Sequence, residues 1–149
     1  MKKTVTWILI ADGTQARVLE HGGPGKGLSL VKGLDWSITP LQTKDINADR
    51  PGRSHSSVGH GRSAMEPKTD PAQHREAEFI RTVADVLDRK ALDGAFDRLV
   101  IAAAPIALGN LRKVMSDHVK KTIVAELDKD LTNMPIPQLD KHFDGIIAV

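Results

Sequence analysis

The sequence predicts an α/β domain: one mixed sheet of about five strands with three flanking helices. Two observations carry this. The first 36 residues hold three β-type runs separated by turn signals, and residues 70–147 alternate helical and strand-like apolar patterns. Between them, residues 44–70 show neither period. The chain has 149 residues, enough for one domain that buries roughly two-thirds of its unfolded surface. A single domain over residues 1–149 is therefore expected.

Thr4 to Ala11 (TVTWILIA) is β-branched and apolar, as a central strand is. The basic start Met1-Lys2-Lys3 suggests a signal peptide only briefly. The apolar run is short, and Asp12-Gly13 ends it without a small-residue cleavage pattern. Asp12-Gly13 is a hairpin signal, and Ala16 to Glu20 returns as the second strand. His21 to Gly27 holds four glycines and a proline, so it turns again into a third strand, Leu28 to Trp36. These three strands form an antiparallel meander.

Asp70-Pro71-Ala72-Gln73 opens a helix: Asp70 caps, Pro71 takes the first turn, and Gln73 completes a capping box. Phe79, Ile80, Val83, Val86, Leu87 and Ala91 mark its apolar face, and Gly94 is a C-terminal stop. Leu99 to Ala104 reads as a strand buried on both faces. Pro105 starts a second helix with Leu108, Leu111, Val114, Met115 and Val119 inward. Thr122 to Leu127 is the fifth strand. Pro135 and Pro137 begin a last helix carrying Leu139 and Phe143. This is the ribonuclease H-like order of elements.

Composition narrows the function. There is no cysteine, which removes disulfides, cysteine–zinc sites and cysteine nucleophiles and fits a cytoplasmic chain. Three Phe, two Trp and no Tyr make a platform of stacked aromatics for single strands unexpected. The net charge is only +2, so distribution matters more than total. No run approaches the ~20 apolar residues of a membrane span, and no membrane partner is expected.

The long loop carries the clearest charge pattern. Arg50, Arg53 and Arg62 stand with no acid between residues 50 and 62, beside His55 and His60; Lys68 and Arg75 follow. Guanidinium forks suit phosphate, and Gly59 and Gly61 let the backbone approach a polyanion. The alternative is a solvated loop with ordinary surface charge. Gly25-Lys26-Gly27 is not a phosphate-binding P-loop: Glu20 stands where its first glycine belongs, and Gly27 where Ser or Thr belongs. His55, His60 and His74 lack metal-ligand spacing, and no metal or cofactor is expected. A two-metal nuclease needs carboxylates at strand ends. Asp12 lies at the end of the first strand and Glu76 or Glu78 opens the first helix, but the fourth strand ends Ala102-Ala103-Ala104-Pro105 with no acid, so the set is incomplete. Asp12 reads more simply as a turn former. No G-x-S-x-G elbow is present for the loop serines. Asp128 and Asp130 follow the fifth strand, where they pair with loop arginines, cap the last helix, or stand as solvated charge.

The sequence resembles the bacterial host attachment protein family, named for a requirement in attachment to host cells. The matching segments are WILIADGTQARVLE (7–20), GPGKGL (23–28), DRPGRS (49–54), GHGRSAMEPKTDP (59–71), GAFDRLVIAAAP (94–105) and ELDKDLT (126–132). That family is in turn similar to the middle domain of the archaeal and eukaryotic class-one release factor, which releases peptide through a Gly-Gly-Gln tip. Here the corresponding loop carries Gly59-His60-Gly61-Arg62, and no Gln lies between Gln42 and Gln73. The resemblance therefore implies the fold and contact with ribosome, rRNA or tRNA, but not peptide release. The expected function is non-catalytic RNA contact through Arg50, Arg53, His60, Arg62, Lys68 and Arg75. The alternatives are an intracellular protein-interaction or regulatory factor acting on attachment indirectly, and a hydrolase or nuclease using Asp12, His60 and Glu66.

Overall fold

The computed structural model describes residues 4–22, 27–38 and 71–143. Its elements in chain order are β1 (Thr6–Ala11), β2 (Gln15–His21), β3 (Leu28–Ser37), α1 (Pro71–Leu92), β4 (Arg98–Ala103), α2 (Pro105–Val114), α3 (Asp117–Lys120), β5 (Ile123–Leu127) and α4 (Ile136–Phe143). One sheet runs β3-β2-β1-β4-β5. The meander pairs are antiparallel, whereas β4 lies parallel to both β1 and β5. This is the expected ribonuclease H-like order.

The central strands explain the layers. All six residues of β1 are buried, as are Leu99 to Ala103 of β4. Alternate side chains must therefore be covered on opposite faces. Trp7, Leu9, Leu99 and Ile101 meet Phe79, Ile80, Val83 and Leu87 of α1 and Leu108 and Leu111 of α2. Ile8, Ile10, Val100 and Ala102 meet Leu139 and Phe143 of α4.

Local chemistry sets the ends. Gly94 takes φ +74, and Ala95 N–H bonds Lys90 O at 2.9 Å, closing α1 with a left-handed glycine. Val5 N–H donates to Asp97 Oδ2 at 2.8 Å, fixing the start of β1 beside β4.

The helix expected from Pro105 through Val119 is two helices, so four helices are described where three are expected. Met115 is extended (φ −70, ψ 140), and Ser116 starts a new turn by accepting from Val119 N–H. The Ser116 hydroxyl also donates to Asp88 Oδ1 at 2.6 Å, tying the break to α1. Met115 and Val119 are nevertheless buried where their spacing places them. Among the described residues, no helix is long and apolar enough to cross a membrane.

Candidate functional site

Two clefts meet at one end of the sheet, on either side of Trp36. This half-buried residue pairs with Ala16 across β2–β3 and packs against the core beneath α1. On the α1 side, Arg75, Glu78, Phe79 and Thr82 recur at the spacing of one helix face. With Asp35, Trp36, Ser37 and Ile38 they enclose about 490 Å³. Phe79 is buried, whereas Arg75, Glu78 and Thr82 are exposed. The wall is thus an aromatic floor with a rim of one guanidinium, two carboxylates and two hydroxyls. Glu78 also stands 3.8 Å from Arg81 in an open pair. Among the described residues, Arg75 has no ion-pair partner.

The second cleft, about 160 Å³, is lined by Gln15, Arg17, Asp35, Ser37 and Thr132 around the same indole. Arg17 belongs to the structure of the fold. Its guanidinium donates to Leu131 O at 3.3 Å and to Met134 O, while its Nε is buried without a hydrogen-bond partner among the described residues. Burial lowers its pKa from the usual arginine range, and the nearby Asp35 charge opposes that shift. Arg17 therefore fastens the segment after β5 to the sheet while it lines the second cleft.

Asp12 acts as the turn former that its sequence context suggests. Its Oδ1 accepts from Thr14 N–H at 2.8 Å and Gln15 N–H at 2.7 Å. Its Oδ2 lies 3.1 Å from the Thr132 hydroxyl, which is also 2.5 Å from Asp130 Oδ1. One hydroxyl carries one proton, so it donates to one carboxylate at a time. Glu76 reaches the same hairpin: a Cβ on Gly13 would fall 2.3 Å from Glu76 Oε1.

Asp130 accepts from Thr132 N–H at 3.0 Å and closes the turn after β5. It does not cap the last helix, which begins at Ile136. Asp128 is exposed. Among the described residues, no cluster of three or more His, Asp or Glu side chains is arranged to hold a metal ion. Arg50, Arg53, Gly59, His60, Gly61, Arg62, Glu66 and Lys68 lie outside the described residues. Of the expected phosphate-contact set, Arg75 alone is described, and it lines the larger cleft.

Sequence reading missed Trp36 and Arg17. Arg17 had a signal, being an arginine flanked by Ala16 and Val18 inside a strand. Trp36 had only its rarity.

The sequence matches, over residues 7–143, the family described as "Protein required for attachment to host cells". The chain belongs to the host attachment family. No curated protein matches it. Among solved structures, this family member is similar to an archaeal translation termination factor at 13% identity and TM-score 0.49, covering 87% of this chain and 32% of that one. An archaeal protein aligns at 12% identity and TM-score 0.47, over 95% of this chain and 37% of that one. The Aquifex aeolicus Ppx/GppA phosphatase aligns at 10% identity and TM-score 0.38, over 84% and 35%. The host attachment chain spans about a third of the length of each of these three.

Proposed function

We propose that this host attachment family member is a non-catalytic module that contacts RNA, on the ribosome or as tRNA. One observation carries the reading: the segment that holds the arginine run leaves and rejoins the described fold beside one cleft. Ile38, after which the chain enters residues 39–70, lines the cleft that Arg75 also lines. The segment rejoins α1 at Pro71, one turn before Arg75. Arg50, Arg53, His60, Arg62 and Lys68 are therefore joined through the chain at both ends to a cleft whose rim holds the Arg75 guanidinium beside the Asp35 and Glu78 carboxylates. Arginines grouped this way suit a phosphate backbone, with affinity that falls as salt rises. The reading implies a cytoplasmic chain.

Co-sedimentation with ribosomes, and mobility shift with tRNA and rRNA, over several salt concentrations test it. Binding that weakens linearly in the logarithm of salt is expected. No binding at low salt to any of the three overturns it and leaves a protein partner as the better reading.

A further inference from the structure

We propose that the cleft between Trp36 and Arg75 binds one ribonucleotide unit, free or as an unpaired residue of an RNA strand. The inference deepens the RNA reading and rests on it for the source of the ligand. Its own support comes from the described residues alone.

The cleft offers three different chemical handles. Trp36 gives a flat apolar wall at the edge of the core, with Phe79 buried beneath the floor. Asp35 and Glu78 give carboxylate acceptors, and Thr82 a hydroxyl. Arg75 gives a guanidinium that no described acid pairs with. A nucleotide has a counterpart for each. Its base stacks on the indole, its ribose hydroxyls donate to carboxylate, and its phosphate accepts from the guanidinium.

Simpler ligands match less of the wall. Inorganic phosphate uses Arg75 alone and leaves the indole and both carboxylates without a counterpart. A lysine or arginine side chain suits Asp35 and Glu78 but meets the Arg75 charge. An apolar ligand leaves the whole rim without partners. At about 490 Å³ the cleft lies within the usual range for small-molecule sites, roughly 300–1,000 Å³. One nucleotide needs no row of aromatics, so the scarcity of aromatic residues does not oppose it.

The protein carries its own reporter. It has two tryptophans and no tyrosine. Trp7 is 4% exposed, stacks on Phe96 at 4.8 Å between ring centroids, and donates its indole N–H to Glu20 at 3.1 Å. Trp36 is the indole that a ligand in the cleft reaches.

The test titrates tryptophan emission with adenosine and uridine monophosphates, a short single-stranded oligoribonucleotide, the same sequence as DNA, and inorganic phosphate. Saturable quenching by the nucleotides or the RNA strand is expected, weaker with DNA and absent with phosphate. Trp36→Phe should abolish the signal while retaining the fold. Arg75→Ala, on an exposed helical position, should weaken binding roughly ten- to hundredfold without shifting the melting temperature.

Emission unchanged by every ribonucleotide probe overturns the proposal, as does quenching that survives in Trp36→Phe. Equal affinity for the DNA strand overturns the assignment to ribonucleotides. If RNA shifts in a gel while Trp36 emission stays fixed, the cleft proposal falls and the RNA reading stands. If free nucleotides quench but no RNA binds, the cleft proposal stands and the RNA reading falls.

Discussion

The Thr132 hydroxyl sits 3.1 Å from Asp12 Oδ2, joining residues 120 positions apart. The other oxygen of Asp12 holds the β1–β2 turn through Thr14 and Gln15. One carboxylate thus closes a local hairpin and fastens the segment after β5 to it. Asp12→Ala removes all of these bonds and should cost about 2–3 kcal/mol, the net worth of roughly one or two hydrogen bonds to a charged group, because water replaces the partners at this part-exposed turn. Thr132→Val removes the hydroxyl shared between Asp12 and Asp130, leaves the Asp12 bonds to Thr14 and Gln15 intact, and should cost about 1 kcal/mol. Urea unfolding should show lower midpoints for both, with unchanged m values. If Thr132→Val costs as much as Asp12→Ala, the local turn is not what Asp12 mainly supports.

Two glycines should respond to alanine with opposite signs. Gly94 ends α1 at φ +74, a conformation that costs an L-residue roughly 1–2 kcal/mol. Gly94→Ala should lower stability by about that amount. Gly109 lies within α2, with nothing inside 4 Å of a built Cβ. Gly109→Ala should raise stability by about 0.5–1 kcal/mol through helix propensity. Thermal melts of the two variants against the parent decide this, and a shared sign would contradict the assigned backbone conformations.

Where the folding signal is local, the sequence discloses it. Asp12-Gly13 turns, Pro71 and Pro105 start helices, and Gly94 stops one, because each acts through its own backbone or near neighbours. The break at Met115 escapes notice because Leu111, Met115 and Val119 keep a four-residue spacing through it. All three are buried, so the apolar pattern continues where the helix does not. The signal lost to that pattern is Ser116, whose cap and bond to Asp88 appear only once α1 is packed alongside. The site divides in the same way. Arg75 shows as charge beside a basic run. The cleft around Trp36 does not, because β3 and α1 come together only in the tertiary structure. Arg17 donates to carbonyls 114 and 117 residues away, which no local reading reaches.

Ile101 tests the centre of the sheet. It is fully buried, pairs with Leu9 of β1 in parallel, and faces the cluster beneath α1 and α2. Ile101→Asp places an unpaired carboxylate among apolar side chains and leaves the space of the lost branches. A cost of several kcal/mol against a total of roughly 5–15 should unfold the domain. Far-UV circular dichroism and a lost melting transition are the expected readouts. A variant melting within a few degrees of the parent would falsify the strand assignment.

The proposed RNA contact makes a demand that folding does not. Arg50→Ala, Arg53→Ala and Arg62→Ala combined should leave the melting temperature nearly unchanged, since the proposal assigns these charges to a ligand and not to the fold. The same triple variant should bind ribosomes or RNA more weakly. Each lost phosphate contact should also flatten the slope of log affinity against log salt by roughly one unit. The slope matters because a general loss of fold lowers affinity without removing a defined number of counterions. His60, between Gly59 and Gly61, supplies a further comparison. His60→Ala should impair binding more than His118→Ala, whose side chain is exposed on α3. An unchanged slope in the triple variant would separate the arginines from any phosphate. Equal effects of the two histidine variants would remove the special position of His60.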